Sequence, residues 1–365
     1  MIDLKRIIPY IFVAFITVML IAFPKDSLSY ALSSLEICKS VIIPTLFPFF
    51  VCSGLLIYSG VAQFLAKLSG PLMKPLFNVG GPGASALVLG ILGGYPLGAV
   101  TACQLYESGY LSQTETERLL AFCNNSGPLF ILGAVGSAIY SSGMVGVVLY
   151  ASHIISTLFI GFIFRFYKKD KHTAPVYRIN QQEDSFPQVF SKVLSNSINS
   201  ILTVCGAIVF FGVVSGVITA YFPDGSVIKA LISGILELSG GTFAIEKTDL
   251  PIAFKLSLSA ACIGFAGMCV HLQVASVTAK HHLSLVPYIT GKILHGLFSA
   301  ILTFLYFAIN SESISVFKNN ERALSAGFCM SSLYSVMNLI LFLGLGIFIF
   351  FSLRLGFKAY QLKKE

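Results

Sequence analysis

Two stretches of this sequence place hydrogen-bonding groups inside apolar runs. The first is Gly93-Gly94-Tyr95-Pro96, set in ASALVLGILGGYPLGAVTACQLY over residues 84–106. The second is CNNSGP, Cys123 to Pro128, in which Asn124, Asn125 and Ser126 are followed by the helix-breaking pair Gly127 and Pro128. A turn built from Gly, Gly and Pro leaves backbone N–H and C=O groups unpaired. Helix N-termini at such a turn carry positive partial charge and suit an anion. Burying three adjacent polar side chains without partners costs a few kcal/mol per group. The CNNSGP cluster is therefore expected either to line a wet solute site or to bond the neighbouring hairpin.

Ionisable groups in apolar segments form the next set. Lys292 and His295 are three residues apart and share one helix face. His153 lies in an earlier apolar helix, and His271 in a later one. Groups of this kind are functional candidates by default. Lys292 could instead snorkel to the interface, and each His could be a packed, hydrogen-bonded residue. A second interrupted stretch, VIKALISGILELSGGTFAIEKTDL over 227–250, is read as two half-helices broken at Gly240 and Gly241. Glu237, near that break, is the acidic candidate for a coupling cation or proton; the alternative is an outward-facing surface carboxylate.

The elements that position these residues must be membrane helices. The 365-residue chain is 55% hydrophobic and 11% charged, with mean hydropathy +0.83. A soluble chain would carry roughly 25% charged residues. Continuous apolar runs point to helices, and the short alternating strands of a β-barrel are absent from the pattern. At about 20 residues per span, all-α crossings are expected near 7–23, 36–58, 117–140, 143–166, 193–221, 252–279, 286–309 and 330–353. That is eight spans plus two re-entrant helical hairpins. Residues 7–23 are expected to stay as a first helix, since no small-x-small cleavage site follows them. Trp is absent, so tyrosine must supply any interfacial belt.

Charge sets the orientation. Lys5 and Arg6, then Arg165, Lys168, Lys169, Lys171 and Arg178, then Arg354, Lys358, Lys363 and Lys364 fall on one side of this topology. The positive-inside rule makes that side cytoplasmic. The net charge of +8 is thus explained by membrane orientation, and nucleic acid is not expected as a partner. The expected partners are a small-molecule solute and the lipid bilayer, with room left for a homo-oligomer.

The two halves resemble each other. VLGILGGYPLG parallels ISGILELSGGT, LLAFCNNSGPLF parallels LSAACIGFAGMC, and HIISTLFIGFIF parallels KILHGLFSAILTF. Cys123 then faces Cys262 in the match, and His153 faces Lys292, at one common offset. With three crossings in the first unit, the second starts on the opposite side, so the repeats are inverted. Paired broken segments in inverted repeats are a transporter architecture with a midplane site. The division expected is an N-terminal helix over 1–30, a first repeat over 31–167, a cytoplasmic linker over 168–190, a second repeat over 191–310, and a terminal helix with a basic tail over 311–365.

Catalytic signatures are missing. The sequence has no H-E-x-x-H, no Walker loop and no G-x-S-x-G in a strand–turn–helix setting. The eight cysteines contain no C-x-x-C pair and read as apolar filler. No enzyme activity, cofactor or metal site is expected, and a coupling ion, H+ or Na+, is left open.

LGGYPLGA, a short charged helix and CNNSGPLFILGAVG, with PTLFPFFV over 44–51, resemble the YlbJ-type sporulation integral membrane proteins. These carry "nucleoside recognition" Gate domains, a module also found in ferrous iron transporters and related to concentrative nucleoside carriers. The resemblance covers nearly the whole chain and is more specific in the first half. It implies a place in the mother-cell-derived outer membrane of the forespore, and movement of dipicolinic acid toward the forespore. Gly93–Pro96, Asn124–Gly127, Glu237, Gly240 and Gly241 would bind the solute, with Lys292, His295 and His153 supplying charge. A nucleoside carrier of the same fold and a non-transporting assembly factor are the alternatives.

Overall fold

A computed structural model describes residues 4–58, 68, 71–168 and 185–309. The expected span at 330–353, the tail and most of the 168–190 linker lie outside them. Every regular element among the described residues is helical. The order begins with α1 (Leu4–Ala22), α2 (Pro24–Ile37), a π-helical turn (Cys38–Ile42) and α3 (Ile43–Tyr58). The first hairpin follows as α4 (Gly83–Gly93) and α5 (Leu97–Glu107), then α6 (Gln113–Cys123), a π-helix (Leu129–Ile139) and α7 (Gly143–Phe164). After α8 (Phe186–Thr219) comes a second hairpin, α9 (Val227–Leu236) and α10 (Leu238–Glu246). It is followed by α11 (Ile252–Phe265), α12 (Gly267–Thr278), a 3-10 turn (Ala279–His281) and α13 (Val286–Ile309). Hairpin, helix, break, helix and long helix thus occur twice in the same order.

Among the described residues, four helices are long and apolar enough to cross a membrane: Gly143–Phe164, Phe186–Thr219, Ile252–His281 and Val286–Ile309. Val13–Ala22 and Pro24–Ser40 make a fifth if taken together, although they meet at 104°. The span expected at 117–140 is not one continuous helix. Asn124 to Gly127 have no helical structure, Pro128 caps the next element, and the π-helix begins at Leu129. Between the expected spans 7–23 and 36–58 the chain is helical as well: Pro24 sits at the first position of α2, where its missing N–H costs nothing. The last residues assigned to the linker, from Phe186, already belong to α8.

Helix α13 shows why lipid is the solvent. Ile289, Ile293, Leu297, Ile301 and Leu305 form an exposed stripe at four-residue spacing. Tyr288, Lys292, His295, Ser299 and Thr303 are buried on the other face. A soluble helix has the reverse polarity. The polar face of α13 packs against α6, α7 and α11. A Cβ on Gly291 would come within 2.4 Å of the Ala121 carbonyl, and one on Gly296 within 2.8 Å of that of Ala261. The small residues therefore set how deep Lys292 and His295 sit.

Candidate functional site

The first hairpin turns at Gly93 and Gly94, as the sequence predicts. Gly94 has φ +83°, a left-handed conformation that costs glycine little. Its backbone also lies against Gly127, so a Cβ on Gly94 would meet the Gly127 nitrogen at 3.0 Å. Gly90 and Gly98 flank the Cys123 carbonyl so closely that a Cβ on either would overlap it. The hairpin tip is therefore docked on the helix break after α6, backbone to backbone. Pro96 caps α5.

The second hairpin turns elsewhere than at Gly240 and Gly241. The break is at Glu237, whose carboxylate accepts from the Ser239 N–H at 2.8 Å and the Gly240 N–H at 2.6 Å. This N-cap lets α10 begin at Leu238 and takes both glycines into the helix. Gly241 then packs on Gly234, where a Cβ would come within 2.2 Å of the Gly234 Cα. Gly240 is exposed. The cap holds Glu237 to its own helix terminus.

Both tips face one cavity of about 150 Å³. Gly93, Gly94 and Tyr95 line it from the first tip, and Glu237, Leu238 and Ser239 from the second. Ser126 and Gly127 come from the break after α6, and Cys269, Val270 and Gln273 from α12. Ile42, Leu46, Leu92 and Phe130 add apolar walls. The volume is below the range typical of drug-sized ligand sites, so the space suits a small metabolite.

Behind this cavity the remaining candidates form one network. Asn124, Asn125, Ser126, His153, Lys292 and His295 are all at most 2% exposed. The Ser126 N–H donates to His153 Nε2 at 3.1 Å. Asn125 Nδ2 donates to the Phe122 carbonyl at 2.9 Å, and its Oδ1 accepts from Thr157 at 2.9 Å. His295 Nε2 lies 3.0 Å from the His153 carbonyl and 3.3 Å from the Thr157 hydroxyl. The carbonyl can only accept, so His295 carries its proton on Nε2 and leaves Nδ1 to accept from Lys292 Nζ, 3.2 Å away. The two imidazole rings are tilted by 36° with centroids 4.3 Å apart. Lys292 is wholly buried and does not snorkel. No carboxylate pairs with it among the described residues.

Several of these polar atoms lack partners. His153 Nε2 accepts, so its proton is on Nδ1, and that donor has no acceptor. Both amide atoms of Asn124 are buried without a hydrogen bond. The Tyr288 hydroxyl lies beside Asn124, though without good bonding geometry, and both nitrogens of His271 are unpartnered. Each such group costs about 1–3 kcal/mol, and their concentration marks a place built for something other than stability. Thr157 and Tyr288 escaped the sequence reading. They sit four residues from His153 and Lys292 on the same helix faces, but a lone Thr or Tyr in an apolar run is not distinctive.

A second buried cluster was also missed. Glu117 and Arg118 lie one turn into α6, and both are at most 1% exposed. Arg118 donates to the carbonyls of Tyr167 at 2.7 Å, Asn78 at 2.8 Å, and Lys168. Glu117 accepts from Gln113, Lys168, the Tyr167 hydroxyl and the Ser284 N–H, at 2.9–3.2 Å. Glu117 beside Lys168 holds that ammonium above the ordinary lysine value.

Among known proteins, residues 40–215 match the family described as "Gate: Nucleoside recognition". The chain is 27% identical over 358 residues to the sporulation integral membrane protein YlbJ of Bacillus subtilis strain 168, covering 87% of this chain and 88% of that protein. The resemblance carried by LGGYPLGA and CNNSGPLF is borne out on both counts. No solved structure matches the chain. With its apolar helices, the chain is an integral membrane protein, and part of it matches the Gate family.

Proposed function

We propose that this chain is a secondary, elevator-like transporter of a small anionic metabolite, acting in sporulation, with dipicolinic acid as its solute. The observation that carries the reading is the cavity closed by both hairpin tips and by the break after α6. Unpaired backbone polarity at membrane depth is tolerated where it faces a cavity, and opposed broken helices at a midplane site are how many carriers bind. The uncompensated Lys292 behind the cavity favours an anion over a neutral solute.

An inverted arrangement of the two units fits the contacts. At one end His281 lies 3.2 Å from Glu107 at the foot of the first hairpin, and Ser284 donates to Glu117. At the other end Lys255 donates to the Glu246 carbonyl at the foot of the second hairpin, and Tyr140 bonds Ser259. The hairpins would then enter from opposite faces. The relative's printed name supplies the sporulation setting, and the outer forespore membrane is the location proposed. No catalytic step and no cofactor enter this account; H+ or Na+ would be the coupling ion.

A second reading, a nucleoside carrier, is favoured by the description of the matching family. Proteoliposomes holding the full chain separate the two. Saturable uptake of labelled dipicolinate, with uridine excluded, is expected. Uridine uptake without dipicolinate uptake would select the second reading. No uptake of either, with or without an ion gradient, would point to a membrane assembly role.

A further inference from the structure

Tyr95 stands between two compartments. One side of it lines the cavity. Its ring also lies 5.1 Å from Lys292 Nζ, within cation–π range. Its hydroxyl donates at 2.8 Å to the Ile263 carbonyl. That carbonyl belongs to the last turn of α11, where the left-handed Ala266 ends the helix. Tyr95 of the first hairpin therefore caps an open carbonyl of the second unit. Lys292 itself does not line the cavity.

The groups packed behind Tyr95 are those an anion would need. Lys292 supplies charge and has only His295 Nδ1 as partner. Asn124 and Tyr288, four residues before Lys292 on the same face, lie against each other, and their NH2 and O–H groups have no other polar partner. All three residues are fully buried. From this geometry we infer that Lys292, Asn124 and Tyr288 form a closed carboxylate subsite, and that Tyr95 is its partition. A solute carboxylate reaches Lys292 by displacing the Tyr95 ring, which otherwise faces the ammonium in place of a counter-anion. The same displacement breaks the bond to Ile263 and so frees the first hairpin from α11. Solute binding and hairpin release become one event.

This inference rests on the transporter reading, and two assays keep their failures apart. In proteoliposomes, Lys292→Met is expected to lower dipicolinate uptake about ten- to a hundredfold, the loss typical of a charged hydrogen bond. Asn124→Ala should lower it by less, and it serves as the second variant if Lys292→Met does not accumulate. Active wild type with both variants unimpaired would overturn the subsite and leave the transporter reading intact. The second assay needs no transport. Acylation of Lys292 by acetic anhydride, read by mass spectrometry on the purified full chain, should be slow in wild type and fast in Tyr95→Ala. Equal rates in the two proteins would overturn the partition even if dipicolinate is not carried.

Discussion

Helix α6 joins two buried polar clusters that obey opposite rules. One turn in from its start, Glu117 and Arg118 bond several backbone and side-chain partners each. At its end, about two turns away, Asn124 has no partner and His153 and Lys292 are only partly satisfied. Burial is the same in both. The difference is what each cluster is for. A satisfied network fixes structure, and here it ties α6, the end of α7 and the loop before α13 together. An unsatisfied one raises the free energy of the resting protein and lowers it only when a further group arrives.

The comparison can be broken most forcefully at the satisfied end. Arg118→Ala leaves the carbonyls of Asn78, Tyr167 and Lys168 without their donor, and Glu117→Ala leaves the Ser284 N–H and the Tyr167 hydroxyl without their acceptor, so a few kcal/mol of stability should be lost. Thermal unfolding of the detergent-solubilised protein would show it as a large downward shift or loss of folded material. At the unsatisfied end, Asn124→Ala removes atoms that bond nothing, so stability should change by no more than about 1 kcal/mol while uptake falls. Ser112→Ala tests a smaller term. Ser112 and Glu115 form a capping box at the start of α6, and Glu115 also accepts from the Gly80 N–H. Its loss should cost about 1 kcal/mol.

The smallest effect concerns pH. Lys168 is held above its ordinary value by Glu117, so its side of the pair is intact below the unfolded lysine pKa and fails as pH rises through the raised one, while acid breaks the pair by protonating Glu117. Stability from this pair should be flat between about pH 6 and 9 and decline in strong alkali and in strong acid. In Lys168→Met the alkaline decline should be weaker, as followed by unfolding scans across pH.

The unsatisfied end was largely legible in the sequence, because its signals are local. Gly-Gly-Tyr-Pro and Asn-Asn-Ser-Gly-Pro announce their breaks, and the three-residue spacing of Lys292 and His295 is a helix face. His153 came from the repeat match, and its ring does lie against that of His295. The satisfied end was not legible. Arg118 bonds carbonyls of residues 78, 167 and 168, and a backbone carbonyl has no sequence signature. The second tip was misplaced because Gly-Gly looks like a turn, whereas a capping carboxylate at Glu237 starts the helix earlier. Helix α2 falls outside the expected spans because its serines and charges lower its hydropathy.

The central claim is that the unsatisfied cluster serves the solute and not the fold. Uptake of labelled dipicolinate and thermal stability, measured together on wild type and Asn124→Ala in proteoliposomes, test it most directly. The account predicts a several-fold fall in uptake at nearly unchanged stability. Undiminished uptake, or a loss of uptake fully accounted for by unfolding, would contradict it.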